Sequence, residues 1–210
     1  MLDYDLSLYL VTDRGYIGDR NLREVVNQAV KGGVTMVQLR EKEASTRGFI
    51  ELAQGLKKIL QDKNVPLIIN DRIDVAMAVK ADGVHLGQED MPVELARKIM
   101  GDDYLIGLSI ENMDQLRETE NLHIDYIGLS PLFTTETKPE LKHEWGIQGL
   151  RQAAGISSHK IVAIGNIDAN NAAEVIKSGA DGVAVVSAIC ASSDPEKAAK
   201  AIAQKIEKAK

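Results

Sequence analysis

The sequence contains a single cysteine, Cys190, among its 210 residues. An intrachain disulfide and a metal cluster built on cysteines are therefore excluded. Cys190 lies in a stretch of small residues, 187–192, which is typical of a packed thiol.

Long apolar runs and an N-terminal segment of the signal type, a charged start followed by an apolar stretch, are also absent from the sequence. A membrane-spanning helix needs about 20 consecutive apolar residues, which no segment approaches. We therefore expect no membrane association and a cytoplasmic location.

A positive charge excess is lacking as well, because the net charge is −6. Nucleic acid is therefore not the expected partner, since its phosphate backbone requires a basic face. With 44% hydrophobic and 27% charged residues, the composition is that of a globular chain. We expect one domain over residues 1–210, without linkers, and the sequence leaves open whether it forms a homo-oligomer.

Short apolar runs alternate with segments of helical apolar spacing along the whole chain. The predicted strands cover 6–11, 36–40, 65–69, 84–86, 105–109, 126–129, 161–164 and 182–186. The predicted helices cover 22–30, 45–56, 73–79, 92–100, 113–119, 150–154, 171–177 and 195–208.

The segments 31–34, 80–84 and 178–183, which connect a predicted helix to the next strand, resemble one another, as expected of repeated units of helix and strand. Near-continuous apolar strands predict a parallel sheet covered by helices. Eight units predict a single-domain α/β fold, the (β/α)8 TIM barrel, rather than an open doubly wound sheet with fewer strands.

Two carboxylates follow neighbouring predicted strands, Asp71 beside Asn70 and Asp90 after the next strand. The carboxyl ends of consecutive parallel strands lie on the same side of a sheet. Asp71 and Asp90 are thus predicted to hold Mg²⁺ together with a phosphorylated substrate. The alternative is that each aspartate merely caps the following helix.

Other polar residues follow the strands at the barrel end where active sites lie. Gln38 and Arg40 share one face of their strand, and Arg40 and Lys42 supply cations for phosphate groups, unless they form a solvated surface pair. Gly165-Asn166 and Val186-Ser187 follow strands seven and eight, where barrels commonly bind phosphate through backbone N–H groups. Ser109 ends strand five.

The connection at 129–139 is long and polar, and it predicts a lid over the site rather than a floppy exposed loop. Thr135, Thr137 and Lys138 offer donors for phosphate oxygens in this segment. Trp145 follows it and is interpreted as a packing residue. His85, within strand four, is interpreted as structural.

The motifs at 38–42, 69–71, 85–90, 107–109, 135–138, 178–183 and 186–187 resemble thiamine phosphate synthases, in that family's order. The resemblance implies condensation of hydroxymethylpyrimidine diphosphate with hydroxyethylthiazole phosphate, which gives thiamine phosphate and pyrophosphate with magnesium. It implies that the pyrimidine diphosphate lies among Gln38, Arg40, Lys42, Asn70, Ser109 and Lys138. It further implies that Asp71 and Asp90 hold the metal, and that Thr135, Thr137, Gly165, Asn166, Val186 and Ser187 hold the thiazole phosphate.

The sequence departs from the family pattern at two places, Asn166 in place of a second glycine and the connection 139–145. Asparagine tolerates positive φ, so the turn at Asn166 is expected to survive. Two other functions remain open, a thiazole tautomerase on a similar barrel and a non-catalytic barrel that binds thiamine phosphate. Assay of both substrates with magnesium distinguishes an enzyme from a binding protein.

Overall fold

The computed structural model describes residues 4–134 and 144–210. Eight parallel strands form a closed barrel in chain order, and the last strand pairs with the first. The strands are β1 Leu8–Val11, β2 Met36–Leu39, β3 Leu67–Asn70, β4 Gly83–Leu86, β5 Leu105–Ile110, β6 Tyr126–Leu129, β7 Lys160–Ile164 and β8 Gly182–Val185. The (β/α)8 TIM barrel predicted from the sequence is therefore confirmed.

Helices follow the strands and cover the outside of the barrel. They are α1 Arg14–Ile17, α2 Leu22–Lys31, α3 Thr46–Gln61, α4 Ile73–Val79, α5 Val93–Met100, α6 Met113–Thr119, α7 Gly146–Ile156, α8 Ala172–Lys177, α9 Ser187–Cys190 and α10 Pro195–Glu207. The sequence did not predict α1 and α9, because four residues are too few to show a helical period.

Local signals fix the ends of several helices. The side chain of Asn21 accepts from the backbone N–H of Arg23 at the start of α2, and Asn112 does the same for the first turn of α6. Asp194 caps α10, whose first residue is Pro195. These caps satisfy N–H groups that have no partner within a helix.

The larger hydrophobic core lies between the strands and the helices, where the apolar faces of the helices pack on the barrel. No helix among residues 4–134 and 144–210 is long and apolar enough to cross a membrane. A second, smaller cluster fills the inside of the barrel and includes Tyr9, Met36, Ile68, Leu105, Tyr126 and Val162.

The barrel interior makes room for two tyrosine rings. A Cβ added at Gly107 would lie 2.2 Å from Cζ of Tyr126, so only glycine permits the ring to occupy this position. The rings of Tyr9 and Tyr126 meet edge to face, with centroids 5.9 Å apart. The apolar layer thus ends in polar hydroxyl groups toward the carboxyl ends of the strands.

Candidate active site

A cavity of about 650 Å³ opens at the carboxyl ends of the eight strands. Every predicted site residue that the structure describes lines this cavity. These residues are Gln38, Arg40, Lys42, Asn70, Asp71, Asp90, Ser109, Gly165, Asn166, Val186 and Ser187. The remaining predicted residues, Thr135, Thr137 and Lys138, lie outside the described residues.

Arg40 is held at the rim of the cavity by the end of β1. Its Nη1 donates to Oδ2 of Asp13 over 2.9 Å, and its backbone N–H donates to Oγ1 of Thr12 over 3.1 Å. Only 12% of the Arg40 side chain is exposed. The interpretation of Arg40 as part of a solvated surface pair is therefore wrong.

The two predicted metal ligands follow the adjacent strands β3 and β4. Asp71 has a φ of 62°, and its N–H donates to the carbonyl of His85 over 2.9 Å. Oδ2 of Asp90 accepts from the N–H of Gly87 over 2.7 Å. The cap positions of α4 and α5 are instead occupied by Arg72 and Pro92. Neither aspartate is therefore the N-cap residue of the helix that follows it.

The donor chemistry of this corner suits Mg²⁺, which binds one or two protein carboxylates together with phosphate oxygens. Asp71 and Asp90 line the same cavity, and the hydrogen bond from Gly87 leaves Oδ1 of Asp90 available as a ligand. In the described part of the chain, no group of three or more His, Cys, Asp or Glu side chains forms a metal site.

The floor of the cavity is a buried polar network. Nε2 of Gln38 donates to Oη of Tyr9 over 3.0 Å, and the Oη atoms of Tyr9 and Tyr126 are 2.9 Å apart. Nδ1 of His85 lies 3.1 Å from Oη of Tyr126, and its Nε2 lies 2.9 Å from Oγ of Ser109. His85 therefore has the structural contacts expected of it, and it also lines the cavity.

The loop after β7 turns through two residues with positive φ, Gly165 at 122° and Asn166 at 51°. A Cβ on Gly165 would lie 2.8 Å from the backbone nitrogen of Leu132, so the β6 loop packs directly on this glycine. Nδ2 of Asn171 donates to the carbonyl of Asn166 over 2.9 Å. The positive φ expected of Asn166 is confirmed.

The loop after β8 leads directly into the short helix α9, which begins at Ser187. The first N–H groups of a helix lack partners within it, and Val186 and Ser187 both line the cavity. Arg20 fixes α9 by donating to the carbonyls of Cys190 and Ser192, the latter over 2.5 Å.

The connection after β6 is closed at its base by Thr134 and Glu144. The N–H and the hydroxyl of Thr134 each donate to Oε2 of Glu144 over 2.8 Å, and these bonds lower the pKa of that carboxyl. Trp145 packs against the core and donates its indole N–H to the carbonyl of Ile110 over 3.3 Å, which is the packing role predicted for it. Residues 135–139 of the predicted lid lie outside the described residues, and the lid stays a prediction.

Sequence reasoning missed several cavity residues, among them Tyr9, Gln88, Glu111, Gln115 and Tyr126. Tyr9 stands two residues before the end of β1, so period-two alternation applied to every strand identifies it as inward-facing. Gln88 donates to the carbonyl of Ser109 over 2.6 Å, and Gln115 accepts from the N–H of Glu111 over 2.7 Å. Gln115 carries no local signal, because it reaches the site from the first turn of α6.

The closed parallel barrel and the polar cavity at its carboxyl end define the class of (β/α)8 barrel enzymes. Comparison with known proteins identifies the family. The chain matches the model of the thiamine monophosphate synthase family over residues 8–189. The chain belongs to that family.

Relatives and solved structures agree with this assignment. The thiamine-phosphate synthase of Vibrio campbellii is 55% identical over 191 residues, which are 91% of this chain and 93% of that protein. The thiamine-phosphate synthase of Clostridium novyi is 46% identical over 202 residues, covering 96% and 99%. The structure of thiamine phosphate pyrophosphorylase from Pyrococcus furiosus superposes with a TM-score of 0.90 at 37% identity, covering 97% of this chain and 96% of that one.

Proposed function

We propose that this chain condenses hydroxymethylpyrimidine diphosphate with hydroxyethylthiazole phosphate, giving thiamine phosphate and pyrophosphate. Family membership makes the chain a transferase of thiamine biosynthesis whose substrates are small phosphorylated molecules. The observation that carries the detailed proposal is convergence: residues from strands far apart in sequence line one cavity of the size of a small ligand.

The diphosphate occupies the side of the cavity formed by β2, β3 and β4. Arg40 and Lys42 bind its oxygens, joined by Lys138 from the connection after β6. These cations stabilise the negative charge that develops as the diphosphate leaves. The partly buried position of Arg40 strengthens this interaction because water screens it less.

Asp71 and Asp90 hold Mg²⁺ beside the diphosphate. When bound, the ion neutralises charge on the leaving group as a Lewis acid. Asn70 ends β3 next to Asp71 and contributes an amide that binds the pyrimidine diphosphate.

The pyrimidine ring lies against Gln38 and Ser109 on the cavity floor. An electron-rich aminopyrimidine supports a benzylic-type cation once diphosphate departs, and the thiazole nitrogen then captures the cation. This route needs no protein nucleophile. Exclusion of water is essential instead, because water captures the same cation, and this is the task of the lid at 129–139.

The thiazole phosphate occupies the opposite side, formed by the loops after β7 and β8. The N–H groups around Gly165-Asn166 and Val186-Ser187 bind its phosphate, with Thr135 and Thr137 from the connection. The loop after β7 makes a sharp turn through two residues with positive φ, and backbone N–H groups in turns are a common anion-binding element.

The test is to mix both substrates with Mg²⁺ and purified protein, then to measure thiamine phosphate and pyrophosphate. Equal amounts of the two products support the proposal. Conversion of a thiazole phosphate isomer without pyrophosphate release would support the tautomerase alternative. Binding of thiamine phosphate without turnover would support the non-catalytic barrel. The cytoplasmic location stays a prediction.

A further inference from the structure

The buried network on the cavity floor is a continuous chain of hydrogen bonds through five side chains, in the order Gln38, Tyr9, Tyr126, His85 and Ser109. The two tyrosines are 1% and 0% exposed. They connect residues that the proposed function places at the pyrimidine ring, although neither tyrosine is among those residues.

The side chain of Gln38 decides which atom donates in each hydrogen bond of this network. Nε2 of Gln38 can only donate, so Oη of Tyr9 accepts from it. Tyr9 has one hydroxyl hydrogen, and its remaining partner in the network is Oη of Tyr126. The 3.1 Å contact between Oη of Tyr126 and Nδ1 of His85 fits donation in either direction, and a Tyr126 that accepts from Tyr9 has its own hydrogen left to donate to Nδ1.

This direction fixes the tautomer of His85. Because Nδ1 accepts, the single hydrogen of the neutral imidazole is on Nε2, which donates to Oγ of Ser109. A protonated imidazole would donate from Nδ1 to Tyr126 and so force Tyr126 to donate to Tyr9. The hydrogen of Tyr9 would then have no acceptor among the five side chains of the network. Burial raises the pKa of both tyrosines above the usual value, so both remain neutral hydroxyl donors.

The two ends of the chain then present different groups to the cavity. Ser109 accepts from His85 and keeps its own hydroxyl hydrogen for a ligand. Gln38 uses its amide nitrogen toward Tyr9 and keeps Oε1 as an acceptor. The reverse direction would give the opposite pattern, with Nδ1 of His85 protonated and Ser109 donating to Nε2.

We propose that Tyr9 and Tyr126 are positioning residues that hold His85 as the Nε2–H tautomer and so present an acceptor at Gln38 and a donor at Ser109. A heterocycle with an exocyclic amino group beside a ring nitrogen has the complementary pattern, because its amino group donates and its ring nitrogen accepts. This assignment rests on the proposed function, which supplies an aminopyrimidine as the ligand.

The experiment reads the tautomer directly by NMR on protein with ¹⁵N-labelled histidine. Protonated and unprotonated ring nitrogens have widely separated ¹⁵N shifts, and the His85→Gln variant assigns the His85 signals among the four histidines. We expect a protonated Nε2 and an unprotonated Nδ1 at neutral pH. A protonated Nδ1, alone or together with Nε2, would overturn the proposal.

Two hydroxyl deletions test whether the chain sets this tautomer. Tyr126→Phe removes the donor to Nδ1, and Tyr9→Phe removes the link to Gln38 while leaving the ring contact of Tyr126 with His85 intact. Both variants should move the His85 shifts toward a mixture of tautomers. If Tyr9→Phe leaves the shifts unchanged, Gln38 does not set the direction of the chain and the proposal fails.

Kinetics supply a second readout. Each variant should raise KM for the pyrimidine diphosphate by about tenfold, as expected for the loss of one buried hydrogen bond, and leave KM for the thiazole phosphate within about twofold. Tyr104→Phe, a tyrosine just before β5 at the opposite end of the barrel, is the matched control and should change neither constant. An equal rise in both constants would indicate general disruption of the fold and count against the proposal.

Absence of turnover in the unaltered protein would refute the proposed function, and the NMR test of the tautomer would still stand.

Discussion

Asp13 and Arg40 form an ion pair 2.9 Å long across the ends of the adjacent strands β1 and β2. Asp13 also accepts from the N–H of Gly15 through its other oxygen, so the carboxylate joins α1 to the rim of the cavity. The guanidinium uses one of its five N–H donors in this pair, which leaves others for phosphate oxygens. Asp13 thus aligns Arg40 before substrate binds.

The first prediction concerns this arginine. Arg40→Ala should lower kcat/KM for the pyrimidine diphosphate by about 100-fold, because it removes a charge-assisted contact that strengthens as the diphosphate leaves. KM for the thiazole phosphate should change much less. The control is Arg14→Ala, which removes a neighbouring ion pair with Glu41 from a side chain that is 52% exposed. Equal losses with both substrates would indicate disruption of the barrel rather than loss of a diphosphate contact.

The second prediction concerns the carboxylates after β3 and β4. Asp71→Asn and Asp90→Asn should each lower kcat by about 100-fold and raise the Mg²⁺ concentration needed for half-maximal rate. Asparagine is chosen because it tolerates the positive φ of Asp71 and can still accept from Gly87 at position 90. Folding should therefore change little.

Asp74→Asn is the matched control for these variants. Asp74 is close to Asp71 in sequence but pairs with Arg72 on the outside of the barrel. The Asp74→Asn protein should have a normal kcat, and its free energy of unfolding should differ from that of the unaltered protein by less than about 0.5 kcal/mol. Unaltered Mg²⁺ dependence in Asp71→Asn or Asp90→Asn would refute the metal assignment.

The third prediction concerns Asn166, where φ is 51°. Asn166→Gly should retain activity because glycine adopts this backbone freely, with KM for the thiazole phosphate within about threefold. Asn166→Val should raise that KM strongly. The left-handed region costs an L-residue about 1–2 kcal/mol, and a β-branched side chain tolerates it less well than asparagine does. Steady-state kinetics on both variants provide the measurement. If valine is accepted as readily as glycine, the loop does not bind phosphate through this geometry.

The fourth prediction concerns Cys190, which is fully buried. Burial raises the pKa of its thiol from 9.0 to about 11. The native protein at pH 8 should therefore react with a thiol reagent at a rate limited by unfolding, and denaturant should release one reactive thiol. Cys190→Ala is the control without any reactive thiol. Rapid labelling of the native protein would contradict the buried environment.

The raised pKa of the Cys190 thiol also predicts how the stability of the protein changes with pH. Below about pH 9 the thiol is protonated in both folded and unfolded chains, so its contribution to the free energy of unfolding is fully present. Between about pH 9 and pH 11 only the unfolded chain ionises, and this contribution is lost. Denaturant titrations of the unaltered protein and Cys190→Ala across this range should diverge, with the unaltered protein losing more stability.

The sequence by itself determined the order and approximate bounds of the eight strands, because buried parallel strands are continuous apolar runs between amphipathic helices. It also indicated the polar residues that follow strands, since the carboxyl ends of a parallel barrel all face one side. The predicted helices at 73–79 and 113–119 agree with α4 and α6 to the residue.

Only the tertiary structure decided which side chains meet. Tyr9, Tyr126 and His85 are distant in the chain, and closure of the barrel alone brings their polar atoms within hydrogen-bond distance. The pairing of Asp13 with Arg40 likewise depends on the register of β1 against β2. Periodicity reports which face of an element is buried, but a contact between two elements depends on register and barrel closure, which no local stretch of sequence contains.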